Sequence, residues 1–211
     1  MVEKKCLVVK NEHLFGMNNE HLFYGFMPAN KSSIDIEKII SKYGEYRERY
    51  GEDGMESNPN YQQVIPYVVV RFGGKFFMYE RLKGGTETRL HNLKSVGVGG
   101  HIDPGDFGNE TLMQALRREF FEEVTYGGRF EPRVVGFINE RGSGSGRDVQ
   151  DVHFGVVFLV DADSEDVDIN PEEMGSNRKV GFFTREELAA YYQQMEGWSK
   201  IVYDSFIAGL G

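Results

Sequence analysis

Three glutamates, Glu119, Glu122 and Glu123, stand at spacings i, i+3 and i+4 in a stretch of strong helix formers. A helix carries side chains at those spacings on one face. Three like charges held that close repel, and the arrangement becomes favourable when a hard divalent cation that prefers oxygen ligands, such as Mg²⁺, sits among them. Arg118, directly before Glu119, can hold part of the array in orientation. The alternative is a solvated acidic face, and Glu122-Glu123 alone would be read so. The longer pattern weighs against it, because Arg and three Glu at four fixed positions arise by chance on the order of once in 10⁵ starting points.

The element that must position these groups is a helix over Thr111–Val124. Leu112, Leu116, Phe120 and Val124 recur every four residues as a buried stripe, Asn109 or Thr111 is placed to cap the start, and Gly127-Gly128 to stop the end. Strand patterns flank it. VIPYVVVRF from Val64, a Gly73-Gly74 turn and KFFMYERL read as a hairpin. Ser95–Gly100 is a short apolar stretch closed by glycines that leads into the turn-rich HIDPGDFGN. Arg133–Asn139 and Val152–Val160 are further strands around a glycine-serine loop, Arg141–Arg147, and Arg185–Gln194 suggests a second helix. Strands on both sides of a helix imply a mixed α/β sandwich. The first third differs: short apolar stretches at Cys6–Val9 and His21–Met27 precede Ser32–Tyr50, where Ser32 or Ser33 is a candidate helix cap, and then a loop, GEDGMESNPN. The expected division is an N-terminal accessory segment, residues 1–60, and a main domain, residues 61–211.

At 211 residues the chain can bury a substantial core, and 40% hydrophobic with 27% charged residues is the balance of a globular protein. A formal charge of −9, from 24 basic and 33 acidic residues, disfavours a basic surface for nucleic-acid polymers or anionic membranes. A small anionic substrate stays open if metal offsets the charge locally. Cys6 is the only cysteine, so no intramolecular disulfide can form, and the N-terminus lacks the apolar stretch of a signal peptide. A cytoplasmic location is expected, and no apolar run approaches the roughly 20 residues that span a bilayer. Arg81, Lys83, Arg89, His91 and Lys94 form a local basic excess that can face an anionic substrate. Arg141 and Arg147, in the glycine-serine loop, can contact phosphate oxygens, against the plainer reading of a mobile linker. His101 and His153 carry no motif and are read as structural or exposed; Tyr191, Tyr192 and Trp198 are read as core or dimer contacts. No second metal motif is evident.

Arg118-Glu119-Phe120-Phe121-Glu122-Glu123 resembles the core of the Nudix box, R-E-U-x-E-E with U a bulky apolar residue. Gly99-Gly100-His101-Ile102-Asp103-Pro104-Gly105-Asp106 is similar to the glycine-led strand and loop that open the box. The family spacing G-x5-E-x7-R is met only in part: Glu110 has the right distance to Arg118, whereas six positions after Gly100 stands Asp106, so either acid can be the first of the box. Thr125 and Tyr126 replace the glycine that usually follows the paired glutamates. The wider block IPYVVVRF, MYERL, RLHN and GVGGHID looks most like a MutT-like subgroup of Nudix phosphoesterases.

The resemblance implies a Nudix-type α/β/α sandwich with a mixed sheet, to which residues 1–60 are an N-terminal extension. It also implies hydrolysis of a nucleoside-diphosphate-linked or related small phosphorylated substrate, by water attack on phosphorus assisted by Mg²⁺ or Mn²⁺. Carried over residue by residue, Glu119, Glu122 and Glu123 are metal ligands, a main-chain carbonyl at Gly99 or Gly100 is a further one, and Arg118 orients them. Glu119 can instead polarise the water. Arg81, Arg89 and Arg141 are the candidates for binding substrate, and Glu140, Asp148 and Asp151 for a base from the later loop. Two rival readings are an isopentenyl-diphosphate-isomerase-like enzyme, which needs a cysteine near the box, and a Nudix-fold ligand-binding or regulatory module without catalysis. RNA decapping gains little support from the acidic balance. A homodimer is the favoured assembly.

Overall fold

The computed structural model of the chain describes residues 4–81, 92–106, 108, 110–140, 149–170 and 180–209. They fall into two compact units, one built from Met1–Pro66, Gly100–Arg117 and Val135–Val157, the other from Tyr67–Gly99, Arg118–Val134 and Phe158–Gly211. The expected mixed α/β architecture is observed.

In the first unit, β1 (Lys5–Lys10) runs antiparallel to β3 (Glu45–Glu48) and to the start of β4 (Tyr61–Phe72), with Cys6 opposite Arg47 and Val8 opposite Gln63. β2 (Gly25–Pro28) pairs antiparallel with β9 (Arg133–Asn139), and the order continues from β9 to β10 (His153–Asp161) and β4. β4 and β10 are rich in β-branched and aromatic residues, and their apolar runs without alternation match burial on both faces. Phe15, Phe23, Phe137 and Phe154 form an aromatic cluster with ring centroids 5.7–6.4 Å apart. Two helices precede β3, α1 (Asn11–Phe15) and α2 (Ile36–Tyr43).

Ser32 and Ser33 do not cap α2. Asp35 does, its carboxylate accepting from the Lys38 N–H at 3.2 Å, while the Ser32 hydroxyl accepts from the Ile34 N–H in a turn of its own. Nor does a helix run on to Tyr50: it ends at Gly44, whose backbone is extended, and the next residues pair with β1.

The second unit takes the other half of β4 through the Gly73-Gly74 turn, at φ +53° and +83°, into β5 (Lys75–Glu80), as the hairpin signature predicts. β5 also pairs with β6 (Lys94–Ser95) and with β12 (Val180–Phe183), and β4 pairs with β7 (Gly97–Gly99). Gly97 is needed where it stands, because a Cβ there would lie 2.1 Å from the ring of Tyr67. Two α-helices follow β12 among the described residues, α4 (Arg185–Tyr191), opened by a Thr184/Glu187 capping box, and α5 (Gly197–Val202), capped by Glu196. The second of these carries no periodic signal in the sequence.

The box helix, α3 (Thr111–Glu123), is continuous across the division of the chain. Leu112, Leu116, Phe120 and Val124 are each no more than 1% exposed, so the predicted stripe is the buried face. Thr111 does not cap it: its hydroxyl bonds back to Gly108, and the Glu110 carbonyl accepts from the Gln114 N–H. Asn109 lies outside the described residues. The glycines do not stop it either, because Val124–Tyr126 is already a strand, β8, paired antiparallel with β11 (Val167–Ile169). β-branched and aromatic residues at 124–126 favour that pairing over another turn of helix. No helix among the described residues is long and apolar enough to cross a membrane.

Candidate metal centre

The last turn and a half of α3 presents the acidic array. Phe120 anchors it, fully buried with its ring 4.6 Å from that of Phe130 and edge-on to Phe121 and Tyr126. That anchor fixes the rotation of the helix, and residues 119, 122 and 123 then project from the remaining arc. The helix end is held by a side chain far along the sequence. Asn170 Nδ2 donates to the carbonyls of Phe121, at 3.3 Å, and Glu122, at 2.7 Å, and its backbone N–H donates to the Glu123 carbonyl at 2.8 Å. Three carbonyls left over at the helix terminus are thereby satisfied without a glycine.

Arg118 lies between two of the carboxylates. Its Nη1 donates to Glu119 Oε1 at 2.8 Å and to Glu122 Oε2 at 3.2 Å. The Glu119 side chain is 15% exposed and that of Glu122 55%, so the array grades from the protein interior to solvent, with Glu123 half-buried. Oxygen donors of this kind at this density suit a hard dication, and Mg²⁺ or Mn²⁺ fits the donor set.

Arg81 shares the electrostatic neighbourhood of Glu123. Burial works against its charge, but Tyr79, Glu123, Glu196 and Tyr67 outweigh that and hold its pKa above the ordinary arginine value. Its guanidinium lies 5.5 Å from the centre of the Tyr79 ring, and its Nε has no hydrogen-bond partner among the described residues. Burial likewise pushes the Tyr79 hydroxyl up, Arg81 opposes this and Glu123 adds to it; the hydroxyl donates to the Gly97 carbonyl at 3.1 Å. Lys94, counted in the basic excess, is instead buried and paired with Glu80 at 2.9 Å, so it does not face a substrate. Lys83, Arg89, His91, Arg141, Arg147 and Asp148 lie outside the described residues.

Gly100 follows β7 and is half-buried in the first unit. Glu140 directly follows β9 and Asp151 lies in a single helical turn, where its carbonyl accepts from Gln62 Nε2 at 2.9 Å. Of the two candidates for the first acid of the box, Asp106 is buried and closes its own turn by accepting from the Asp103 N–H at 2.8 Å, whereas Glu110 is exposed. Cys6 is fully buried, and burial pushes its thiol up to about 12. A thiol that stays protonated at neutral pH is poorly suited to the cysteine chemistry of the isomerase reading. Trp198 is half-buried and packs edge-on against Tyr67.

Residues 61–206 match the family of the NUDIX domain. Protein YmaB of Bacillus subtilis is 32% identical over 168 residues, covering 75% of this chain and 77% of that protein. The crystal structure of Tm1382, described as a candidate Nudix hydrolase, superposes with a TM-score of 0.75 at 30% identity, over 97% of this chain and 99% of the other. DR0079 from Deinococcus radiodurans shares the fold at 17% identity, with a TM-score of 0.55 over 80% of this chain and 93% of its own.

Proposed function

The chain belongs to the Nudix family and is a hydrolase, and from that premise we propose that it cleaves a phosphoanhydride bond in a nucleoside-diphosphate-linked or related small substrate, with Mg²⁺ or Mn²⁺ held by Glu119, Glu122 and Glu123. The observation that carries this reading is the acidic turn itself: three carboxylates at ligand spacing within the matched region, with Arg118 hydrogen-bonded to two of them. A dication bound there supplies charge neutralisation for the phosphate oxygens and lowers the pKa of attacking water. The residues of the chain do the rest. Arg118 holds Glu119 and Glu122 in register, Glu123 carries charge next to Arg81, and Arg81, with Arg89 and Arg141, takes the substrate's phosphates. The family resemblance adds the Gly100 carbonyl as a further oxygen donor and Glu140 or Asp151 as the source of a base. In this reading residues 1–60 are an accessory to a catalytic domain, 61–211, acting in the cytoplasm as a homodimer.

A test is turnover of a panel of nucleoside triphosphates, nucleotide sugars, ADP-ribose, dinucleoside polyphosphates and coenzyme A, with Mg²⁺, with Mn²⁺ and with chelator. Glu123→Gln is run in parallel. Chelator-sensitive release of phosphate or pyrophosphate that drops by about 10²-fold or more in the variant supports the assignment. A folded chain silent on every substrate overturns it in favour of the binding-module reading, and one equally active without metal overturns it in favour of a different chemistry.

A further inference from the structure

Away from the box, three side chains from separate segments of the first unit converge. His101 follows β7, His153 opens β10, and Glu56 lies in the short helical turn Met55–Ser57. One ligand atom of each lies within 4.8 Å of the other two. The two imidazoles meet nitrogen to nitrogen, with His101 Nε2 3.3 Å from His153 Nε2 and the rings 69° apart. With metal–nitrogen bonds of about 2.0–2.1 Å, two ligands on a tetrahedral ion stand about 3.3–3.4 Å apart. We infer that Glu56, His101 and His153 form a second metal site, one that takes a borderline transition-metal dication of the Zn²⁺ class.

The surroundings are those of a built site. His153 is 7% exposed. Arg49, itself buried, grips one oxygen of Glu56 through Nε at 3.1 Å and Nη2 at 2.8 Å, which orients the carboxylate as supporting partners orient metal ligands elsewhere. Gln63 is fully buried and turns its amide oxygen towards the pair, 2.9 Å from His101 Nε2. That oxygen also accepts from the Cys6 thiol at 3.2 Å, while Gln63 Nε2 has no partner among the described residues. A hydrogen-bonded histidine pair accounts for this poorly, because one Nε2 proton cannot serve both Gln63 and the facing nitrogen well. A cation shared by the two nitrogens and the Gln63 amide oxygen removes the conflict, because all three then turn lone pairs to the ion.

The donor set also sets the selectivity. Two imidazoles and a carboxylate favour Zn²⁺, Co²⁺ or Ni²⁺ over Mg²⁺, whereas the carboxylates of α3 offer only oxygen. The inference therefore stands apart from the hydrolase reading and fails or survives separately. Bound there, the ion ties the turn at Met55–Ser57 to the start of β10 and to the segment after β7.

The test uses the full chain, stripped with chelator and dialysed against Zn²⁺ in the presence of about 10³-fold excess Mg²⁺, which occupies oxygen-only sites. One zinc per chain is expected to remain. Zinc affinity is expected to fall by at least about 100-fold in His153→Gln and by about 10- to 100-fold in Glu56→Gln, and to stay unchanged in Glu122→Gln on the box helix. Circular dichroism checks the fold of each variant. Should His153→Gln not fold, the Co²⁺-loaded wild-type chain decides: visible absorption of a four-coordinate nitrogen and oxygen site supports the inference, and its absence overturns it. Loss of all zinc from the wild type, or zinc retained equally by the histidine and Glu56 variants, also overturns it.

Discussion

Glu122→Gln separates a metal array from a solvated acidic face by the sign of its effect. Without metal, the substitution removes the charge from one ion pair with Arg118, at 3.2 Å, on a side chain that is 55% exposed. Such a pair is worth about 0.2–1 kcal/mol. The same change relieves repulsion from Glu119 one turn back, which is of similar size and opposite sign, about 0.2–0.5 kcal/mol. The metal-free stability should thus move by less than about 0.5 kcal/mol. With Mg²⁺ at 100 times its dissociation constant, the wild type gains about 2.7 kcal/mol by mass action. If the lost carboxylate weakens binding about 100-fold, the gain in the variant drops to about 0.4 kcal/mol, a difference of about 2.3 kcal/mol. For a chain of this size that is roughly 5–9 °C in Tm. Thermal melts of both proteins in chelator and in excess Mg²⁺ measure all four corners. Equal Mg²⁺ stabilisation of the two proteins would refute the ligand assignment, and a loss above about 1.5 kcal/mol in chelator would show that Glu122 is held by something other than Arg118.

Asn170→Ala should cost about 1–2 kcal/mol by stranding the carbonyls of Phe121 and Glu122, and should weaken Mg²⁺ binding about tenfold by loosening the turn that carries the ligands; calorimetric titration with Mg²⁺ and urea melts read both. Gly97→Ala forces a Cβ into the ring of Tyr67, so a loss of about 1–3 kcal/mol or more is expected in denaturant melts, without recovery on adding metal. Cys6 has a folded pKa raised by burial from 9.0 to about 12, so its contribution to stability is fully present below about pH 9 and is lost as pH rises towards 12. Urea midpoints between pH 8 and 10.5 should therefore fall less steeply in Cys6→Ala than in the wild type. At the lower end of that range, pH 8, a thiolate-directed reagent should label native Cys6 about 10³-fold more slowly than the unfolded chain.

What was legible in the sequence is what local periodicity encodes. Gly73-Gly74 between two β-branched runs specified the hairpin, and the four-residue recurrence from Leu112 to Val124 specified both the box helix and its buried face. The misread boundaries depend on partners elsewhere. Val124–Tyr126 leaves the helix because Val167–Ile169 is there to pair with it, and no window around Tyr126 contains that strand. At α2 the competing caps are close neighbours, and the choice of Asp35 over Ser32 rests on a turn in which the Ser32 hydroxyl is already engaged. His101 and His153, each read alone as structural, are 52 positions apart and meet only through the packing of the first unit. A lone histidine in a sequence carries no information about the second.

The early end of α3 bears on function as well as on boundaries. Ending at Glu123 and turning at once into β8 ties the last two ligand positions to a paired strand on one side and to the buried Phe120 on the other. An uncapped helix end would leave Glu122 and Glu123 on a fraying last turn, where φ and ψ wander and the carboxylates with them. Here Asn170, the residue directly after β11, fastens the carbonyls of that same turn, so the strand pair and the ligand geometry are one cooperative unit. Thr125 and Tyr126 in place of the usual glycine therefore follow from how this chain holds its acidic turn: with β8 and Asn170 satisfying the helix end, a left-handed glycine has no task to perform there.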